Sequence, residues 1–169
     1  MVSLLLISAA CESPSNQIQS AGGEKAPFAM EKMEVDTQAI VYLADEYLQQ
    51  LPVPITHFSS PRSAGGIHDF YSEGDYWWPN PEDVDGPYIR RDGESNPDNF
   101  VAHRKAMRNL NQWVAALVAA YQVTGNEKYA AHAVRHLVAF FLDEATLMNP
   151  SLLYAQAIKG KVTGRGIGI

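Results

Sequence analysis

The chain has a single cysteine, Cys11, among 169 residues. One thiol excludes an internal disulfide framework, and it excludes a cysteine-based zinc site, which needs a full ligand set. There is also no run of Lys or Arg. The 13 basic residues are outnumbered by 19 acidic ones, for a formal net charge of -6. Without clustered cations to displace counterions from phosphates, nucleic acid is a poor partner. The acidic balance does not favour a polyanionic substrate either, so basic groups that bind one must be gathered locally. The apolar run at the start is too short to span a bilayer. What is there is ordinary for a globular protein: 46% hydrophobic and 19% charged residues, enough to argue against overall disorder. The length allows one domain with a modest core.

Residues 1–10, Met-Val-Ser-Leu-Leu-Leu-Ile-Ser-Ala-Ala, run apolar into small residues just before Cys11. This reads as the end of a secretory signal cut ahead of a lipidated cysteine. Two features depart from that pattern: no Lys or Arg precedes the run, and Ser8 stands where an aliphatic residue is usual. Residues 12–34, with Gly22, Gly23 and Pro27, read as a linker.

From Asp36 onward the pattern turns helical. Ile40, Leu43, Ala44, Tyr47, Leu48 and Leu51 recur at helical spacing, and Pro52 and Pro54 end the run. Residues 52 to about 96 show neither helical nor strand period but are rich in Gly, Pro, Asp and aromatics. A loop this long in a compact domain is often functional. Asn96-Pro97 is expected to open the next helix, with Phe100, Met107, Leu110, Val114, Leu117, Val118 and Tyr121 as its apolar face and Gly125 as its stop. Asn126 caps a further helix whose apolar face is expected to be Ala130, Ala133, Val134, Leu137, Val138 and Phe141. The short break makes these two helices an antiparallel hairpin. Ser151 to Ile158 has no clear pattern, and the glycine-rich end Thr163 to Ile169 reads as interrupted.

The most informative stretch is His68-Asp-Phe-Tyr-Ser-Glu-Gly-Asp-Tyr-Trp-Trp-Pro-Asn-Pro81. Aromatic rings such as Tyr76, Trp77 and Trp78 stack on the C–H faces of sugars while neighbouring polar groups bind hydroxyls. The bland alternative is that the tryptophans pin a long loop. Asn99 and His103 lie four residues apart on one face, followed by Arg104, at the start of the second helix. With Tyr88, Arg90 and Arg91 just upstream, this helix end suits a carboxylate; a core histidine and a solvated arginine are the alternatives. His132 and His136 are also four apart. The Glu of a zinc-protease motif is missing between them, and both are expected on a polar face, so no metal is assigned. Gly160-Lys161 and Gly164-x-Gly166-x-Gly168 do not meet phosphate-loop spacing.

Residues 63–169 resemble the front part of bacterial alginate lyase family domains. The stretches Ser63-Ala-Gly-Gly-Ile-His-Asp-Phe-Tyr-Ser-Glu-Gly-Asp-Tyr-Trp-Trp, Asp85-Gly-Pro-Tyr-Ile-Arg-Arg-Asp-Gly, Asn96-Pro-Asp-Asn-Phe-Val-Ala-His-Arg, Asn149-Pro-Ser-Leu-Leu-Tyr-Ala-Gln-Ala-Ile and Thr163-Gly-Arg-Gly-Ile-Gly-Ile carry the likeness. The resemblance implies an all-α fold, an α/α toroid of helical hairpins, here as an incomplete N-terminal portion over residues 35–169. It implies a lyase that cleaves a uronic-acid polymer such as alginate by β-elimination, with no cofactor. The partner implied is an acidic polysaccharide. The expected setting is the periplasm or outer membrane of a Gram-negative bacterium, with a possible membrane tether through Cys11. The family's Asn-His pair and Tyr are expected beyond Ile169, so no catalytic residue is assigned. His68, Tyr76, Trp77, Trp78, Asn99, His103, Arg104 and Arg165 are the expected substrate-binding residues. A non-catalytic, exported carbohydrate-binding protein is the alternative.

Overall fold

A computed structural model describes residues 35–165. Cys11 and its expected lipid, the linker at 12–34 and residues 166–169 lie outside the described residues.

Three α-helices form the larger layer. Helix α1 (Thr37–Tyr47) starts where the Asp36 side chain accepts a hydrogen bond from the Ala39 N–H, and it ends short of Leu51, ahead of the two prolines. Helix α2 (Ala102–Thr124) stops at Gly125, whose φ of 66° a side chain would disfavour. Helix α3 (Glu127–Phe141) begins at once, because the Asn126 side chain accepts from the Lys128 N–H. The three helices share a core of Ala44, Leu117, Ala120, Tyr129 and Ala133. Asp45 ties α1 to α3, accepting from the Tyr129 hydroxyl and the Lys128 ammonium, each at 2.9 Å.

The expected all-α toroid is corrected by the strands. Among the described residues, two small sheets accompany the three helices. Strand β1 (Tyr71–Glu73) pairs in parallel with β4 (Tyr154–Ala157), and β2 (Trp77–Trp78) pairs antiparallel with β3 (Ile89–Arg90). The segment that shows neither helical nor strand period in sequence therefore carries β1, β2 and β3. Its strands satisfy their backbone groups across partners rather than within a helix. The register of β1–β4 shifts between Tyr71 and Glu73, and Gln156 takes a left-handed φ of 53° beside that irregularity. A second cluster, built on Ile55, Phe70, Ala106, Leu110, Phe140 and Ala155, fastens the strands to α2 and α3.

Two further expectations are corrected. Helix α2 begins at Ala102 rather than Pro97, because the Asn96 side chain makes a local turn with the Asp98 N–H and donates to the Trp77 carbonyl. In α3 the buried residues are Tyr129, His132, Ala133, His136 and Phe140. Val134, Leu137, Val138 and Phe141, expected to face the core, are exposed, and both histidines are buried rather than on a polar face.

Candidate functional site

Where the loop at 158–163 turns back over β1, a cleft of about 720 Å3 opens. Its lining includes Arg62, Tyr71, Glu73, Lys159, Lys161 and Thr163. The turn is close-fitting at Gly160: φ is 74°, and a Cβ there would come within 2.7 Å of Pro87 Cα. The Tyr88 N–H donates to the Lys159 carbonyl and holds this turn against the preceding loop.

Glu73 sits on the cleft wall and is itself only 6% exposed. Its carboxylate accepts from Arg62 Nε at 2.5 Å and Nη2 at 2.7 Å, from the Tyr71 hydroxyl at 2.9 Å, and from the Phe100 N–H at 2.6 Å. Burial alone would raise its pKa. The Arg62 fork, the Phe100 N–H and the Tyr71 hydroxyl outweigh burial and hold it below the usual carboxylate range. The Tyr71 phenol is pushed up by burial and by the adjacent Glu73 charge, so it stays protonated at neutral pH. Arg62, Lys159 and Lys161 against Glu73 leave this cleft basic on a chain that is acidic overall.

The residues expected from sequence fall into separate groups. Trp77 lies beside the cleft, with the Lys161 ammonium 5.2 Å from its ring centre. Trp78, its neighbour on β2, instead donates through Nε1 to the Glu94 carbonyl and stacks under Arg91. Tyr76 is 41% exposed. Asn99 is buried, donating to the Gly74 carbonyl. His103 is also buried. Its Nδ1 accepts from the Tyr71 N–H at 2.9 Å, its Nε2 meets the Phe58 carbonyl at 3.2 Å, and its ring packs edge-on against Phe100. Burial lowers its pKa. Arg104 grips Asp75 with two nitrogens, at 2.6 and 3.0 Å. His68 contacts the Leu147 carbonyl. Arg165 is exposed, and its N–H donates to the Ala155 carbonyl. The structure thus gathers Asn99, His103 and Arg104 around β1 as supports, leaves Tyr76 and Arg165 exposed, and half-buries both Trp77 and Trp78.

Sequence reasoning missed Arg62, Lys159 and Lys161. The available signal was local: Glu73 in the quoted motif is a carboxylate among aromatics, which needs a buried cation or N–H partner. Among the described residues, no group of three or more His, Cys, Asp or Glu side chains is arranged to hold a metal ion.

Comparison with known proteins follows the same part of the chain. A solved structure of an alginate lyase from Bacteroides ovatus is 38% identical and superposes with a TM-score of 0.65, covering 76% of this chain and 34% of that one. The chain therefore spans about a third of that protein's length. No match was found among curated proteins. The family model for alginate lyase matches residues 55–169, which takes in the aromatic loop, the α2–α3 hairpin and the whole cleft lining. By that match, the chain belongs to the alginate lyase family.

Proposed function

We propose that this chain serves a polysaccharide lyase acting on a uronic-acid polymer such as alginate by β-elimination, and that its part is to hold the polymer. The basic cleft on an acidic chain is the observation that carries this reading. Every sugar of such a polymer bears a carboxylate, and Arg62, Lys159 and Lys161 offer it charge-assisted donors. Trp77, with Tyr76, stacks on the sugar faces, and Arg165 contacts a further carboxylate. Asn99, His103 and Arg104 support β1 from behind, and His68, held at the Leu147 carbonyl, lies apart from the cleft lining. Trp78 fixes the loop. In elimination a neutralised carboxylate makes the adjacent C5 proton acidic, a base removes it, and an acid protonates the departing O4. Neither base nor acid is assigned to a residue of this chain. Tyr71 and His103 are engaged inside the fold, which favours a binding role for this part of the molecule.

The test follows the ultraviolet absorbance of the unsaturated sugar that elimination creates, using alginate and glucuronan. Product formed by the longest polypeptide of this gene, together with retention of the present chain in an alginate gel, is the expected result. Neither product nor retention would overturn the reading.

We further propose export with lipid on Cys11. Mass spectrometry of the protein from a Gram-negative host is expected to find a lipidated Cys11 at the mature N-terminus. An unmodified Met1 in the cytoplasm would refute it.

A further inference from the structure

We infer that Glu73 is a positioning residue whose task is to aim Arg62, through its Nη1 nitrogen, at the carboxylate of a uronate sugar in the cleft. This rests on the polymer-binding reading above and adds to it which group reads the acid. Four hydrogen-bond donors converge on Glu73, and two of them are nitrogens of Arg62. Nη2 also donates to the Asp98 carbonyl at 3.0 Å, so the guanidinium plane is fixed from two sides. Nη1 is the nitrogen left outside the carboxylate fork, on a side chain that lines the cleft and is 39% exposed. A planar guanidinium held in one orientation can meet a second carboxylate with its remaining nitrogen, Nη1. A flexible lysine must first lose its rotamer freedom to do so. Glu73 is fixed in turn from behind, by the Phe100 N–H just ahead of α2 and by the Tyr71 hydroxyl on the same strand.

A purely structural ion pair and a positioning device predict opposite signs for one variant. Glu73→Gln removes a negative charge from the cleft wall. If charge alone governs binding, a polyanion binds the variant more tightly. If Glu73 aims Arg62, it binds more weakly, because a neutral amide holds the guanidinium less firmly.

The experiment is affinity electrophoresis of the 169-residue chain through gels containing alginate or the same polymer with its carboxyl groups reduced to alcohols. Circular dichroism at the same temperature reports folding. The wild type is expected to be retarded by alginate far more than by the reduced polymer. Arg62→Met should raise the apparent Kd for alginate about tenfold and leave the reduced polymer unaffected. Arg62→Lys should recover only part of that loss, and Glu73→Gln should weaken alginate binding several-fold while the chain remains folded. Unchanged alginate binding by Arg62→Met, or full recovery by Arg62→Lys, would overturn the inference whatever becomes of the Glu73 variant. So would unchanged or tighter binding by a folded Glu73→Gln. A wild type that alginate does not retard would remove the polymer-binding reading itself, a separate and earlier failure.

Discussion

At the scale of single residues, α3 buries an imidazole. His136 is fully buried, and neither ring nitrogen has a hydrogen-bond partner among the described residues. Its ring packs against Trp113 and His132. Burial, with His132 and Arg135 nearby, pushes its imidazole down to about 4. The folded state thus favours the neutral ring. Its contribution is fully present above the ordinary value of 6.5 and is lost as the pH falls through about 4. The whole effect is on the order of 3 kcal/mol. Thermal unfolding at about pH 7 and about pH 5 should show a smaller acid loss for His136→Leu than for the wild type; equal losses would place the titration elsewhere. The two adjacent tryptophans should also separate. Trp77→Ala is expected to weaken alginate retention about fivefold with little change in Tm. Trp78→Ala, which loses the bond to the Glu94 carbonyl, should lower Tm and leave retention nearly unchanged. The reverse pattern would exchange their roles. Sequence alone could say that one of the pair faces inward, since neighbours on a strand point to opposite sides. Which one depends on where Lys161 and Glu94 lie, and both are distant in the chain.

At the scale of elements, what could be read from the sequence was whatever a neighbouring residue decides. Asp36, Gly125 and Asn126 mark helix ends by local chemistry, and all three stand where expected. Gly125→Ala should cost about 1 kcal/mol, seen as a lower midpoint in urea. A Cβ at this position meets nothing within 4 Å, so the loss would come from the backbone alone. The start of α2 was illegible because Asn96 spends its amide on the Trp77 carbonyl, a partner 19 residues away. The buried face of α3 was misread for a related reason. Hydrophobicity ranks Val134 and Leu137 above His132 and His136, yet the histidines face the helix core, where His132 meets the Gln50 carbonyl at 2.8 Å. The strands were missed because β1 finds its partner only at Tyr154.

At the scale of the whole molecule, charge and apolar surface are both unevenly placed. If the basic cleft is the polymer's seat, retention by alginate should fall as ionic strength passes about 0.15 M, where screening acts within about 8 Å. Retention that is indifferent to salt would point away from carboxylates. The opposite asymmetry is apolar: Val118, Val134, Leu137, Val138 and Phe141 are all exposed on α2 and α3. Such a surface favours association in water. Light scattering of the purified chain should rise with concentration, and Leu137→Lys with Phe141→Lys should suppress it. The pairing of β1 with β4 has a kinetic consequence as well. The bond from the Gln156 N–H to the Ser72 hydroxyl joins residues 84 apart, whereas α2 and α3 meet across a two-residue turn. Closing the long loop carries an entropic cost that the helical hairpin avoids. The hairpin can therefore condense early, and the cleft, which exists only once β4 has found β1, is expected to assemble after it. In hydrogen exchange, the amides of β4 should then be released in a cheaper opening than those of α2, so that the seam closing the cleft is less durable than the helical hairpin beside it.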